Sequence, residues 1–377
     1  MKITKIDTIP ISIGVRLPGL LSGPLRASRR AVAEHVIVKI HTDEGLVGFG
    51  ESTPNRGEQG KGMNLEMSAP AIIEVINKLT PVLLGADPFQ IDPLFSDMEK
   101  VVEGCLWAKA GLDLALFDLM GKASKKPISS LLGGSFRDRL PVEFPLTDVR
   151  GDIEKSGEEA ADAVKLGYTF IEIKAGLDPN LDVERIRSVR NAIGNKPRLK
   201  VDINEGYENA DIAIKTIKRM EKFDIDFVEQ PLKSSDVGGM SKITEAVETK
   251  IVADEIAASL PTLVENVIRK KAADAVHIKT VKGGFAHTMK MITVAEAAGI
   301  IPIVGAAYSF GVGIAAVHQV AASMAELQRP DHYGPPFYVD DILASPILET
   351  NGYVQISQKP GLGVDIDERK LESLRAL

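Results

Sequence analysis

At 377 residues the chain is too long for one small domain and has room for a β/α barrel with an accessory domain. An apolar share of 44% beside 26% charged residues calls for a large core under a solvated surface, and a net charge of -7 argues against nucleic acid or an anionic membrane as partner. Cys105 is the only cysteine, which excludes a disulfide within the chain, and no run of about 18 apolar residues offers a membrane span. The opening MKITKIDTIPISI lacks the pattern of a signal peptide. A cytoplasmic homo-oligomer acting on a small molecule is the expectation.

Residues 2–13 and 35–41 are β-rich, and TDEG at 42–45 predicts a hairpin turn that returns through LVGFGE at 46–51. Two Gly- and Pro-rich loops occupy 14–30 and 52–64, with Arg16, Arg26 and Arg56 as candidate substrate contacts. Helical periodicity covers 67–82 and 93–123, completing an α+β pattern over residues 1–125. After Pro141 short apolar runs alternate with amphipathic helical stretches: 142–146, 170–174, 199–203, 226–230, 250–255, 275–279 and 300–305. Such alternation predicts right-handed βαβ units and a parallel sheet.

The polar residues that close the first six runs are Thr147, Lys174, Asp202, Glu229, Asp254 and Lys279, at intervals of 27, 28, 27, 25 and 25 residues. One βα unit per step, without a large break, suits a closed barrel better than an open sheet. The barrel is expected over 126–339, with the segment 340–377 packing back on the first domain.

Catalytic groups of a β/α barrel sit at the C-terminal ends of its strands. Here five successive strands close on Lys, Asp, Glu, Asp and Lys. Carboxylates on three adjacent strands converge as hard oxygen ligands, a set that suits Mg²⁺, with Mn²⁺ also suitable. Lys174 and Lys279 stand four strands apart, on opposite sides of a ring of eight, one for each face of a substrate held between them. That arrangement addresses the very weak acidity of a hydrogen α to a carboxylate, whose removal leaves a dianionic enediolate. A divalent cation stabilises the charge, and a lysine serves as base.

At these residues the chain resembles the enolase superfamily, in its muconate lactonizing enzyme subgroup. The resemblance rests on TDEGLVGFGE, AKAGLDLALFDLMGKASKKPISSLLGG, VDINEGY, VEQPL, ADE, IKTVKGG and KPGLGVDID in that order. It implies an α/β fold, a modified (β/α)7β TIM barrel with an N-terminal α+β capping domain. It implies that Asp202, Glu229 and Asp254 bind Mg²⁺ and that Lys174 and Lys279 are the acid/base pair. It also implies that the two Gly- and Pro-rich loops close over the site and select a small carboxylate substrate.

Two departures from the subgroup stand out. Its usual Lys-x-Lys is here Glu172-Ile173-Lys174, and a strand residue two before Lys174 shares its face, so Glu172 should tune that lysine upward. Many members carry Glu on the seventh strand where this chain has Ser309, itself a candidate substrate contact. Both weigh against the specific reactions of muconate cycloisomerases and dipeptide epimerases. Asn204 and Glu255 lie beside metal ligands and are candidates to support them. His277 reads as a structural histidine, and the turn at Gly311 and Gly313 as either an anion site at a helix N-terminus or tight packing.

Two opposed lysines are what stereochemical inversion needs. The leading expectation is therefore a racemase or epimerase of an amino-acid or imino-acid derivative. A muconate-type cycloisomerase or an acid dehydratase is the alternative within the superfamily. Outside it stand a Schiff-base aldolase, which needs no carboxylate trio, and a non-catalytic carboxylate-binding protein.

Overall fold

The computed structural model describes residues 1–15, 32–54, 68–146, 152–331 and 338–376. Arg16, Arg26, Arg56 and Thr147 lie outside the described residues.

Three antiparallel strands open the chain: β1 (Ile3–Gly14), β2 (Val32–Thr42) and β3 (Val47–Ser52), in that order in one sheet. The TDEG hairpin forms as the sequence predicts. Gly45 takes φ +80°, and Thr42 N donates to Leu46 O at 3.1 Å. Alternate residues of β1, Ile9, Ile11 and Ile13, turn inward. Three helices follow, at Ala69–Leu83, Ile91–Val101 and Leu106–Ser124. The continuous periodicity over 93–123 is in fact two helices. Gly104 and Cys105 both adopt left-handed backbone, with φ of 69° and 49°, and break the run. The last helix is buried along nearly its whole length, pressed against β3. Gly50 permits that approach, because a Cβ there would overlap the Gly111 backbone.

The chain then enters β4 (Arg139–Pro141) and a parallel sheet of eight strands. These are β5 (Glu143–Pro145), β6 (Phe170–Lys174), β7 (Arg198–Asp202), β8 (Phe227–Glu229), β9 (Lys250–Ala253), β10 (Ala275–Lys279), β11 (Ile301–Gly305) and β12 (Pro330–Asp331). They lie side by side in sequence order with helices between them, the (β/α)7β pattern. The regular spacing gave seven of the eight; β12, only two residues long, left no apolar run to read. Helix starts follow the local sequence. Asp152, Asp178, Asn209 and Asp236 each cap a helix with a side-chain oxygen, and Pro179 opens its helix where no N–H is required.

The two ends of the sheet are joined by a side chain. Arg329, fully buried just before β12, reaches Glu143 Oε2 on β5 at 2.7 Å and the Ile171 carbonyl on β6 at 2.8 Å. Beyond the barrel, β13 (Glu349–Thr350) and β14 (Tyr353–Gln355) pair with β4 in a third small sheet. The final residues return to β1, where Ser12 N donates to Leu374 O at 2.9 Å and Ala376 N to Pro10 O at 2.9 Å. No helix among the described residues is long and apolar enough to cross a membrane.

Candidate active site

Strand register brings the predicted residues together. Lys174 pairs with Asp202 across β6 and β7, and Asp202 with Glu229 across β7 and β8. Asp254 follows β9 directly, and Lys279 ends β10. All five side chains are buried.

Around Lys174 the neighbours are acidic. Its Nζ lies 2.6 Å from Asp202 Oδ2 and 3.1 Å from Glu172 Oε1, so Glu172 faces the interior as its spacing implies. Burial alone would lower this lysine's pKa. The carboxylates of Asp202 and then Glu172 outweigh burial and hold it well above the ordinary lysine range. Burial pushes Asp202 up to about 7 against the pull of Lys174, with Glu229 and Glu172 adding to the rise.

Around Lys279 the balance differs. Its ammonium is in direct contact with Asp254 Oδ2, and Lys282 Nζ stands 3.3 Å from Asp254 Oδ1. Burial acts against ionisation of Asp254, but Lys279, Lys282 and His277 together hold it well below the usual carboxylate range. Glu229, between the two sides, is also held low: Lys200 and His277 overcome its burial.

Glu229 joins two close groups, one with Asp254 and His277, the other with Glu172 and Asp202; within each, one oxygen or nitrogen per residue lies within 4.8 Å of the others. Buried carboxylates collected this closely, each facing an ammonium, form a hard-oxygen donor set that fits a divalent cation. His277 is buried, and its partner is a ligand candidate: Nδ1 lies 2.9 Å from Glu229 Oε1. Asn204 contributes its backbone N–H, 2.9 Å from Asp202 Oδ1, and Glu255 is buried beside Asp254.

Several supporting residues went unread in the sequence. Lys200, fully buried, reaches Glu229 Oε2 at 2.8 Å and Glu172 Oε1 at 3.0 Å. Its position two before Asp202 puts it on the same inward face, the signal that could have found it. Gln230 Oε1 accepts from Asp254 N at 3.0 Å and ties the ends of β8 and β9 together. Arg185 Nη1 donates to the Lys174 carbonyl at 2.6 Å. These last two act from a loop and a helix, where no strand alternation marks them.

The capping sheet and helices hold the barrel through carboxylates. Glu51 on β3 accepts from Phe310 N at 2.6 Å and Gly313 N at 2.7 Å, at the start of the helix Gly311–Ser323. The anion at the Gly311/Gly313 turn is thus the protein's own. Asp113 likewise accepts from Phe285 N at the start of the helix Gly284–Ala297. Burial pushes Asp113 up to about 7. Ser309 is fully buried within the turn after β11.

Comparison with known proteins agrees with this architecture along the whole chain. Residues 12–133 match the family described as mandelate racemase / muconate lactonizing enzyme, N-terminal domain, and residues 155–370 the family described as enolase C-terminal domain-like. The chain belongs to the muconate lactonizing subgroup of the enolase superfamily. It is 31% identical to the N-succinyl-L-Arg/Lys racemase of Bacillus cereus, over 99% of this chain and 98% of that protein. The crystal structure of that racemase superposes with a TM-score of 0.91, covering 100% of this chain and 99% of the other. The L-Ala-D/L-Glu epimerase of Bacillus subtilis is 32% identical over 97% of each chain. A chloromuconate cycloisomerase of Delftia acidovorans is 33% identical over 98% of each. With racemases, epimerases and cycloisomerases as relatives over nearly its full length, this superfamily member is an isomerase.

Proposed function

We propose that this isomerase racemises or epimerises an N-acylated amino acid or closely related carboxylate, with Lys174 and Lys279 taking and returning the α-proton from opposite faces. The carrying observation is the placement of two buried lysines on β6 and β10, four strands apart, with Asp202, Glu229 and Asp254 on the strand ends between them. Asp202, Glu229 and Asp254 would hold Mg²⁺, which when bound would supply positive charge against the negative charge that proton loss leaves. Lys174, held as an ammonium by Glu172 and Asp202, is poised to give a proton to one face. On the other face, Lys279 contacts Asp254, which it shares with Lys282, and serves as the base. Reaction in the opposite direction exchanges the two roles.

The full-length similarity to an N-succinylamino acid racemase and a dipeptide epimerase supports a substrate whose α-nitrogen is acylated. A cycloisomerase reading has the chloromuconate enzymes in its favour. Glu172 and Ser309 depart from the subgroup's usual residues and weigh against it, as they do against a strict dipeptide epimerase. A cytoplasmic homo-oligomer fits the single cysteine and the net charge of -7. We further assign residues 1–125 to the cap, 126–339 to the barrel and 340–377 to a segment returning to the cap.

The test is a panel of N-succinylamino acids, dipeptides and muconates assayed in D₂O with Mg²⁺ by NMR. Uptake of deuterium at the α-carbon with loss of optical rotation is expected for an N-acylated amino acid. Lactone formation from muconate, without exchange of any amino-acid derivative, would replace this reading by the cycloisomerase one.

A further inference from the structure

The strand ends from β6 to β10 present charged side chains or lead directly into one, whereas β11 ends on Gly305, the register partner of Lys279. The turn that follows carries Tyr308 with φ of 54°. A bulky residue in left-handed backbone costs of order 1–3 kcal/mol; such residues persist where their surroundings over-determine them, and they cluster at ligand clamps. Here the surroundings do so. Tyr338 Oη donates to the Tyr308 carbonyl at 2.5 Å. Two residues on, Phe310 N is fixed by Glu51 Oε1 at 2.6 Å. The Phe310 ring packs against His35 and Tyr338, with centroids 5.4 Å and 5.3 Å away. Ser309 is fully buried, and half-buried Tyr308 is the other polar side chain of this turn.

The ionised groups acting most strongly on the Tyr308 phenol are Lys174, Glu172, Lys279 and Asp202. They come from β6, β7 and β10, so the phenol feels both lysines. Burial pushes the phenol up to about 12, which keeps it a neutral O–H donor near neutral pH.

We infer that Tyr308 is a further catalytic residue, whose phenol donates a hydrogen bond to a carboxylate-derived oxygen of a substrate held between Lys174 and Lys279. The inference rests on the proposed function and extends it. As the α-proton leaves, negative charge grows on that oxygen, and a fixed neutral donor stabilises the charge without competing for the proton. Because both lysines lie around it, one hydrogen bond serves proton removal from either face.

Tyr308→Phe keeps the ring and removes only the hydroxyl. In the Mg²⁺-loaded enzyme, kcat for α-hydrogen exchange is expected to fall about 100-fold, the scale of losing one oxyanion donor, and by the same factor for both enantiomers. Single-lysine variants would be one-sided instead. Calorimetric binding of acetohydroxamate, a small mimic of an enediolate, gives a readout that needs no turnover. Tyr308→Phe should weaken it about ten-fold, and Tyr308→Gln, which restores a donor, should recover part of the loss. Circular dichroism confirms that each variant is folded. Unchanged hydroxamate affinity in Tyr308→Phe, or exchange within two-fold of the parent enzyme, would overturn the inference. An enzyme that binds hydroxamate through Tyr308 but exchanges no α-hydrogen would sink the racemase reading and leave the contact standing. Failure of the parent enzyme to bind hydroxamate at all would remove both.

Discussion

Beneath Lys174 the barrel interior is ionic, while on the side that leads up to Lys279 it is hydrocarbon below His277. On β5 to β7, Glu143, Glu172 and Lys200 are buried with Arg329 in one connected set of ion pairs. On β8 to β11 the equivalent inward positions hold Phe227, Val252, Ala275 and Ile303, which pack as one apolar cluster. Both halves obey the same strand alternation, yet they surround their lysines differently. Lys174 stands on a platform of carboxylates that favours its ammonium. Lys279 stands above His277 and then hydrocarbon, in contact with one carboxylate, Asp254, that it shares with Lys282. A symmetric reaction is thereby served by an asymmetric pair.

The largest effects are expected where both halves meet. Asp202→Asn, Glu229→Gln or Asp254→Asn should each lower activity by roughly a thousand-fold or more. Mg²⁺ affinity should fall in parallel, read by calorimetry or by the fluorescence of Trp107, the only tryptophan, whose ring centroid is 5.9 Å from Lys282 Nζ. Full activity of any of them in chelator would dismiss the metal site. Next come the lysines. Lys174→Ala and Lys279→Ala should each abolish racemisation yet leave α-hydrogen exchange from one enantiomer, a different one in each case. Exchange of both enantiomers by either variant would contradict the opposed faces.

Most of this was legible in the sequence for a physical reason. Strand ends recur once per βα unit, so Lys174, Asp202, Glu229, Asp254 and Lys279 announce themselves by spacing, and seven barrel strands with them. The ionic layer was legible only in part. Glu172 was visible because it neighbours Lys174, whereas Lys200 and Glu143 obey the same alternation and were passed over. Arg329 and β12 lie beyond the regular rhythm. Gln230, Arg185 and Tyr308 act through turns and a helix, where position in sequence does not fix the direction of a side chain.

Stability separates the two interior halves. Lys200→Met leaves Glu229 and Glu172 buried without their shared cation, and should cost about 3–5 kcal/mol. Ile303→Val, in the apolar half, should cost only about 0.5–1.5 kcal/mol. Denaturant titration reads both, and equal costs would deny the ionic layer its structural part.

A smaller effect concerns how the cap is seated. Asp113 titrates higher in the folded chain, near 7, than an ordinary carboxylate does when unfolded. The folded state therefore holds a proton that the unfolded chain has already released. The contribution is greatest below pH 4 and is lost as pH rises through about 7. Asp113→Asn keeps an acceptor for Phe285 N and removes the titration, so its melting temperature should fall less than the parent's between pH 4 and 7. Parallel curves would place the pH dependence elsewhere.

The most direct test of the asymmetry is the kcat/KM–pH profile of Glu172→Gln, measured from each enantiomer in turn. Glu172 lies 3.1 Å from Lys174 Nζ and favours its protonated form, so removing the charge should lower that lysine's pKa. A neighbouring charge typically moves a pKa by roughly one to three units. The limb at which Lys174 becomes available as base should therefore move to lower pH, in the one direction that uses it. The limb of the reverse direction, governed by Lys279, should stay where it is. A Lys174 limb that does not move, or two limbs that move together, would mean that the layer beneath the lysines does not set them apart.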